Sequence, residues 1–303
     1  KIQEALENYG VDIHFITGGT LTNLTFLSHA LRPYEAVISA DTGHINTHET
    51  GAIEASGHKV LSIPCTDGKL TADLIRPVLK QHENEHWVEP RLVYISLPTE
   101  LGTVYAKEEL EKLYQFCKRH NLYLYIDGAR LAMALAVEET QLTLKDLPDL
   151  CDAFYIGGTK NGAMFGEALI LVNDDLKDHF RFNLKQRGAI LATGWMIGVQ
   201  FEELFQDNLY LELGKRSVAL AQRLKQGFID CKIPFLCDSP TNQLFPIFPN
   251  EFAKKINENY VTTFQCKPDE NHTCLRFCTS WATNEQAVED FIKDLKQWSY
   301  IYA

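Results

Sequence analysis

The chain has 303 residues, of which 45% are hydrophobic and 23% charged, with a formal net charge of −11 at pH 7. This is an ordinary globular composition, long enough for one large unit and a smaller one. The acidic balance argues against a nucleic-acid partner, which needs a basic surface, but it leaves room for a locally basic anion site.

Helical spacing is already under way at Ile2, Ala5, Leu6 and Tyr9 with no cap before it, so we expect a chain that begins inside a longer one. No signal peptide opens it and no apolar run is long enough to span a bilayer, which points to a cytoplasmic protein without a membrane partner. Ile13–Ile16 reads as a strand. Gly18-Gly19-Thr20 then opens a helix from Thr20 to Leu31, with apolar residues at 21, 24, 27, 30 and 31. A helix start offers unpaired N–H groups and a positive dipole end, which suits a phosphate; the glycine turn by itself is a weak signal. Ala36–Ser39 reads as a strand, Ile45–Gly57 as a helix closed by Gly57, Val60–Ile63 as a strand and Thr71–Gln81 as a helix. Leu92–Ser96 is a strand, Lys107–His120 an amphipathic helix, and Leu122–Ile126, Ala153–Ile156 and Ala168–Val172 are strands. This alternation predicts an α/β fold with a mostly parallel central sheet flanked by helices.

From Asp174 to Leu224 the pattern is mostly helical. Short strands at Leu244–Phe248, Val261–Phe264 and Leu275–Cys278 alternate with helices at Glu251–Asn259 and Asn284–Trp298. We expect a smaller C-terminal α+β domain, 228–303, after a large domain of 1–227. The eight cysteines form no CxxC pair and are expected as free buried thiols in a reducing compartment. His272, Cys274 and Cys278 lack the fourth ligand and close spacing of a structural zinc site, so no metal is expected.

In parallel sheets of this kind ligands bind beyond the carboxyl ends of the strands. Two polar tips fall there: Tyr125-Ile126-Asp127-Gly128-Ala129-Arg130 and Gly157-Gly158-Thr159-Lys160-Asn161-Gly162. Singly, the aspartate can be a helix cap and the lysine a solvated turn residue. Together, an acid on one strand end and a lysine on a later one suit pyridoxal phosphate. The lysine binds its aldehyde and the carboxylate keeps the pyridine nitrogen protonated. Arg130 can reach the same rim and meet the cofactor's phenolic oxygen or a substrate carboxylate. Arg276, inside the apolar run Cys274–Cys278, needs a partner, either a substrate carboxylate or an internal acid. His44 can stack on a ring, move a proton, or simply stand solvated at a helix start. No Walker, GxGxxG, GxSxG or HExxH pattern is present.

These residues together resemble the low-specificity threonine aldolase and β-eliminating lyase family, within the aspartate aminotransferase-like fold type I of pyridoxal phosphate enzymes. The resemblance runs over nearly the whole chain. It is carried by Gly18–Asn23, His44 with Glu49-Thr50-Gly51-Ala52, Ile126–Arg130, Gly158–Gly162 and Leu275–Ser280. It implies that Lys160 is the Schiff-base lysine, that Asp127 pairs with the pyridine nitrogen and that His44 stacks on the ring. Gly19 and Thr20, with Thr159, would hold the phosphate. Arg130 and Arg276 would hold the substrate carboxylate. Lys185 would reach a phosphate across a dimer interface. Pro98-Thr99-Glu100 places Glu100 where many members carry a histidine near the substrate's β-hydroxyl. The resemblance therefore implies aldol cleavage of a β-hydroxy-α-amino acid to glycine and an aldehyde by a homodimer or homotetramer with shared sites, with Glu100, His44 or a water as base. β-Elimination, racemisation or sulfur removal on the same scaffold, and a non-catalytic relative, are the competing readings. The N-terminal segment that members use to complete the carboxylate pocket is not among these residues.

Overall fold

Apolar runs punctuated by Gly, Pro and Asp make short buried strands. In the computed structural model, which describes residues 1–302, they form two sheets. The larger contains β1 (Asp12–Ile16), β2 (Glu35–Ala40), β3 (Val60–Ile63), β4 (Glu89–Ser96), β5 (Tyr123–Asp127), β6 (Ala153–Gly157) and β7 (Glu167–Leu171). Their spatial order is β1-β7-β6-β5-β4-β2-β3. The ladders from β3 through β2, β4 and β5 to β6 are parallel, and β7 runs antiparallel to both its neighbours.

Both faces of this sheet are covered, so its strands are apolar on both sides. On β5, Leu124 and Ile126 enter one core with Val93, Ile95 and Phe154. Tyr125 enters the other with Tyr94, Tyr155 and Leu169. The helix Lys107–Arg119 closes the first face through Leu110, Leu113 and Phe116, and the helix Gly19–Ala30 closes the second through Phe26 and Leu27. Burying one such side chain contributes about 1.5–3 kcal/mol, so two continuous layers fix the sheet and hold its rim rigid.

The expected helix Ile45–Gly57 is instead two short helices, His44–Thr47 and Ala52–Ala55. Thr50 (φ 53°) and Gly51 (φ 71°) take left-handed conformations between them. That break turns Glu49 inward, where its side chain is fully buried. Glycine is required more strictly at Gly128, where a Cβ would overlap the carbonyl oxygen of Tyr155. Gly128→Ala is expected to cost about 3 kcal/mol, read as a lowered urea midpoint; an unchanged midpoint would show that β5 and β6 can part without loss.

The helix Leu209–Asp230 leaves the first core at Tyr210 and Val218 and enters a third one from Leu220 to Phe228. The expected boundary at 227/228 falls inside this helix. The second sheet contains β8 (Gln243–Leu244), β9 (Ile247–Pro249), β10 (Thr263–Cys266) and β11 (His272–Cys278), with β11 antiparallel to the other three. The single strand expected at Leu244–Phe248 is split at Pro246, which has no N–H to give a ladder. The strand expected from Val261 begins at Thr263, and Val261 is exposed. The helices Asn250–Asn259 and Glu285–Tyr302 cover this sheet. All eight cysteines are free, but they are not uniformly buried: Cys278 is exposed, and Cys65, Cys231, Cys237 and Cys266 are half-buried. Cys65, Cys231 and Cys237 lie between elements or at a helix end, and Cys266 and Cys278 end β10 and β11, where packing is incomplete. Among the described residues no helix is long and apolar enough to cross a membrane.

Candidate active site

The carboxyl ends of β1, β4, β5 and β6 and the start of the reversed β7 meet around a cavity of about 310 Å³, a size at the lower end for small-molecule sites. Gly18, Gly19 and Thr20 follow β1 and start the helix Gly19–Ala30; all three line the cavity, with His44, Glu100, Asp127, Arg130, Thr159 and Lys160. The sheet thus gathers most of the expected residues into one place.

Asp127 ends β5 and is 4% exposed. Its Oδ2 accepts from the Tyr94 hydroxyl at 2.6 Å and from the Asn23 amide at 3.0 Å, and its Oδ1 accepts from the N–H of Ala129 at 3.0 Å. Burial and the neighbouring Asp127 charge push the Tyr94 hydroxyl well above its ordinary value, so it remains a donor. The same Asn23 nitrogen donates to Glu49 Oε1 at 2.7 Å, and the Tyr125 hydroxyl fixes Asn23 Oδ1 at 3.0 Å. Glu49 Oε1 also accepts from His44 Nδ1 at 2.8 Å. Burial alone would lower the His44 pKa; the Glu49 hydrogen bond and the charges of Asp127, Glu100 and Glu49 outweigh it and raise it. One face of the His44 ring stacks on His48 at 5.3 Å.

Lys160 stands on the turn after β6, open to the cavity by area but with protein packed around it. Burial, then the Arg130 guanidinium, lower its pKa from the usual lysine value, against the pull of Asp127, Glu100 and Glu167. Among the described residues its Nζ has no hydrogen-bond partner. Glu100 is held by a loop pinned from the segment that leads into β8. Ser239 Oγ donates to the Gly102 carbonyl at 3.1 Å, and Cys237 Sγ to that of Leu101 at 3.0 Å. Its own Oε1 accepts from Ser96 Oγ at 3.0 Å.

Two expected residues lie outside the cavity lining. Lys185 is exposed in the last turn of the helix Phe180–Gln186. Arg276 is half-buried on β11, two residues from Cys278, whose sulfur lies 3.9 Å from Arg130 Nη2. Among the described residues Arg276 has no internal acid as partner, and its Nε is buried without a hydrogen bond. Sequence reasoning named Asn23 and Glu49 only within motifs, without a role, and missed Tyr94, Tyr155, Glu167 and Gln243. A signal existed for the tyrosines: Tyr94, Tyr125 and Tyr155 each stand two residues before the end of β4, β5 and β6. Gln243, 1% exposed, lines the cavity from β8 and has an Oε1 without a partner.

A family model described as beta-eliminating lyase matches residues 3–248. The chain is 31% identical to the low specificity L-threonine aldolase of a Pseudomonas species, across 94% of this chain and 82% of that one. It is 50% identical to a solved structure of Leishmania major threonine aldolase, covering 98% of this chain and 87% of that one with a TM-score of 0.97. Thermus thermophilus aspartate aminotransferase, at 14% identity, shares the fold over 95% of this chain and 75% of its own with a TM-score of 0.69.

Proposed function

The chain belongs to the beta-eliminating lyase family, and we propose that it is a pyridoxal phosphate-dependent carbon–carbon lyase that cleaves threonine-type β-hydroxy-α-amino acids to glycine and an aldehyde. The observation that carries this reading is an unpartnered lysine amine and a buried carboxylate at the ends of neighbouring parallel strands, lining one cavity. The donor set suits the cofactor: a 12-residue helix begins at Gly19 on the same cavity as that amine, and Thr159 adds a hydroxyl. When bound, the cofactor supplies the electron sink for the bond that breaks.

The chain's own residues have the following work in this reading. Lys160 would hold the cofactor at its aldehyde carbon, and its lowered pKa makes more of the neutral, nucleophilic amine available. Asp127, held by three donors, presents its charge to the pyridine nitrogen. Gly19, Thr20 and Thr159 hold the phosphate, with Lys185 contributing from a neighbouring copy in a dimer or tetramer. His44, its Nδ1 committed to Glu49, would pack against the cofactor ring. Arg130 and Arg276 fix the substrate carboxylate, which sets the orientation of the bond to be broken; orientation of this kind supplies roughly 7–11 kcal/mol at best. Glu100 takes the proton of the β-hydroxyl, because its loop is tied by two hydrogen bonds and its carboxylate lines the cavity with no ion pair within contact distance among the described residues. We place the protein in the cytoplasm on the family resemblance.

The test is to incubate the pyridoxal phosphate-loaded protein with each threonine diastereomer and with phenylserine, measuring glycine and aldehyde. Equimolar release from at least one supports the reading; pyruvate or racemised substrate in place of glycine would replace it. In the same assay Glu100→Gln is expected to lower the rate roughly 10²-fold or more with the bound cofactor's absorbance intact; a rate within a factor of two would remove Glu100 as the base.

A further inference from the structure

Three carboxylates line the cavity, Glu100, Asp127 and Glu167, and the reaction outlined above leaves Glu167 without a part. Glu167 opens β7, is 5% exposed, and lies in register with Gly157 on one side and Ile16 on the other. Its Oε2 accepts the N–H of Gly158 at 2.8 Å. The Thr159 hydroxyl acts to lower the pKa of the same carboxyl group. Thr159 Oγ1 in turn accepts the N–H of Gly166, the residue just before Glu167, at 3.0 Å. Gly158 and Thr159 immediately precede Lys160. The amine-bearing turn is therefore tied at two consecutive residues to the start of β7, Gly158 to the buried Glu167 carboxyl group and Thr159 to the backbone just before it. It is also packed from behind, since a Cβ on Gly158 would press on the Gly166 carbonyl at 2.6 Å and the Phe201 ring at 2.9 Å.

A purely mechanical tie would not need an acid, because a glutamine accepts the same N–H, and burying a carboxyl group is costly. We propose that Glu167 is a positioning residue for Lys160, fixing the Gly158–Thr159 turn and setting, through its charge, how tightly the amine holds its proton. Burial holds the Glu167 carboxyl up at about 7, against the Gly158 and Thr159 donors and the Lys160 charge, with Asp127 pushing the same way as burial. The groups that face it are Lys160 on the turn, Asp127 and Tyr125 on β5, Tyr155 on β6 and Tyr210 on the helix Leu209–Asp230. Burial keeps the three tyrosines neutral. Arg130, whose charge also acts on Lys160, stays cationic throughout, as guanidinium groups do.

The inference rests on Lys160 being the reactive amine, and the experiment separates the two ideas. Cyanate labelling of Lys160 is followed by peptide mass against pH in the full chain, with and without bound pyridoxal phosphate. Protection by the cofactor tests the assignment of Lys160; the pH midpoint without cofactor tests Glu167. Glu167→Gln keeps the acceptor but removes the anion, so the midpoint is expected to fall by roughly one unit; Glu167→Asp, which keeps the charge, should restore most of it. The same midpoint in wild type and Glu167→Gln would overturn the proposal, whatever happens to the labelling rate. Folding gives a second readout that needs no labelling. Because folding raises the Glu167 pKa, its contribution to stability is full below the ordinary carboxylate range and is lost as pH climbs to about 7. The wild-type urea midpoint should decline over that window relative to that of Glu167→Gln, the difference isolating Glu167 from the other titrating groups; parallel profiles together with an unshifted labelling midpoint would overturn the proposal.

Discussion

Lys160→Ala is expected to abolish aldehyde release, with a loss of roughly 10³-fold or more, and to remove the visible absorbance of lysine-bound pyridoxal. The same change should leave folding nearly untouched. Lys160 Nζ has no hydrogen-bond partner among the described residues, and its nearest strong influence after burial is the like charge of Arg130. Removing it breaks no hydrogen bond, and the attraction it loses to Asp127, Glu100 and Glu167 is offset by relief of its burial and of the Arg130 repulsion, so the urea midpoint should move by about 0.5 kcal/mol or less in equivalent stability. The contrast between a catalytic collapse and an intact fold is what distinguishes a reacting group from a structural one. A Lys160→Ala protein that releases aldehyde within tenfold of the wild-type rate would remove the lysine from the chemistry.

Asp127→Asn is the second large effect. The cofactor should still load, because Lys160 and the Gly18–Thr20 turn are unchanged. The rate should fall roughly 10²–10³-fold, the scale of one lost electrostatic partner in a preorganised site. The local hydrogen bonds explain why the substitution is also not silent for folding. An asparagine oxygen can keep the Ala129 N–H, and the Tyr94 hydroxyl can turn to accept from the new amide, but that amide then faces the Asn23 amide, donor against donor. One unsatisfied buried donor costs about 1–3 kcal/mol, readable in the urea midpoint. Full activity in Asp127→Asn would mean that the ring nitrogen does not depend on this carboxylate.

Much of the site was legible because strand ends announce themselves. Asp127 and Lys160 follow apolar runs, and parallel order carries both runs' carboxyl ends to one rim. Glu167 was not legible for the converse reason. It begins an apolar run, and only the reversal of β7 brings that beginning to the same rim. Nothing in Glu167–Leu171 distinguishes an antiparallel strand from a parallel one, since both are buried on each side. Asn23 and Glu49 were hidden differently: each sits among residues of helical spacing, and only the left-handed break at Thr50 and Gly51 turns Glu49 inward. Arg276 shows the limit of pattern reading. Its apolar neighbours Leu275 and Phe277 set it on the opposite face from their core, which argues for a partner outside that core without naming it.

The most direct measurement is to load the protein with pyridoxal phosphate, reduce it with borohydride and locate the modified peptide by mass. The account predicts one pyridoxyl group, on Lys160 in the Gly158–Gly162 segment. A label on any other lysine, or none after saturation with the cofactor, would contradict it.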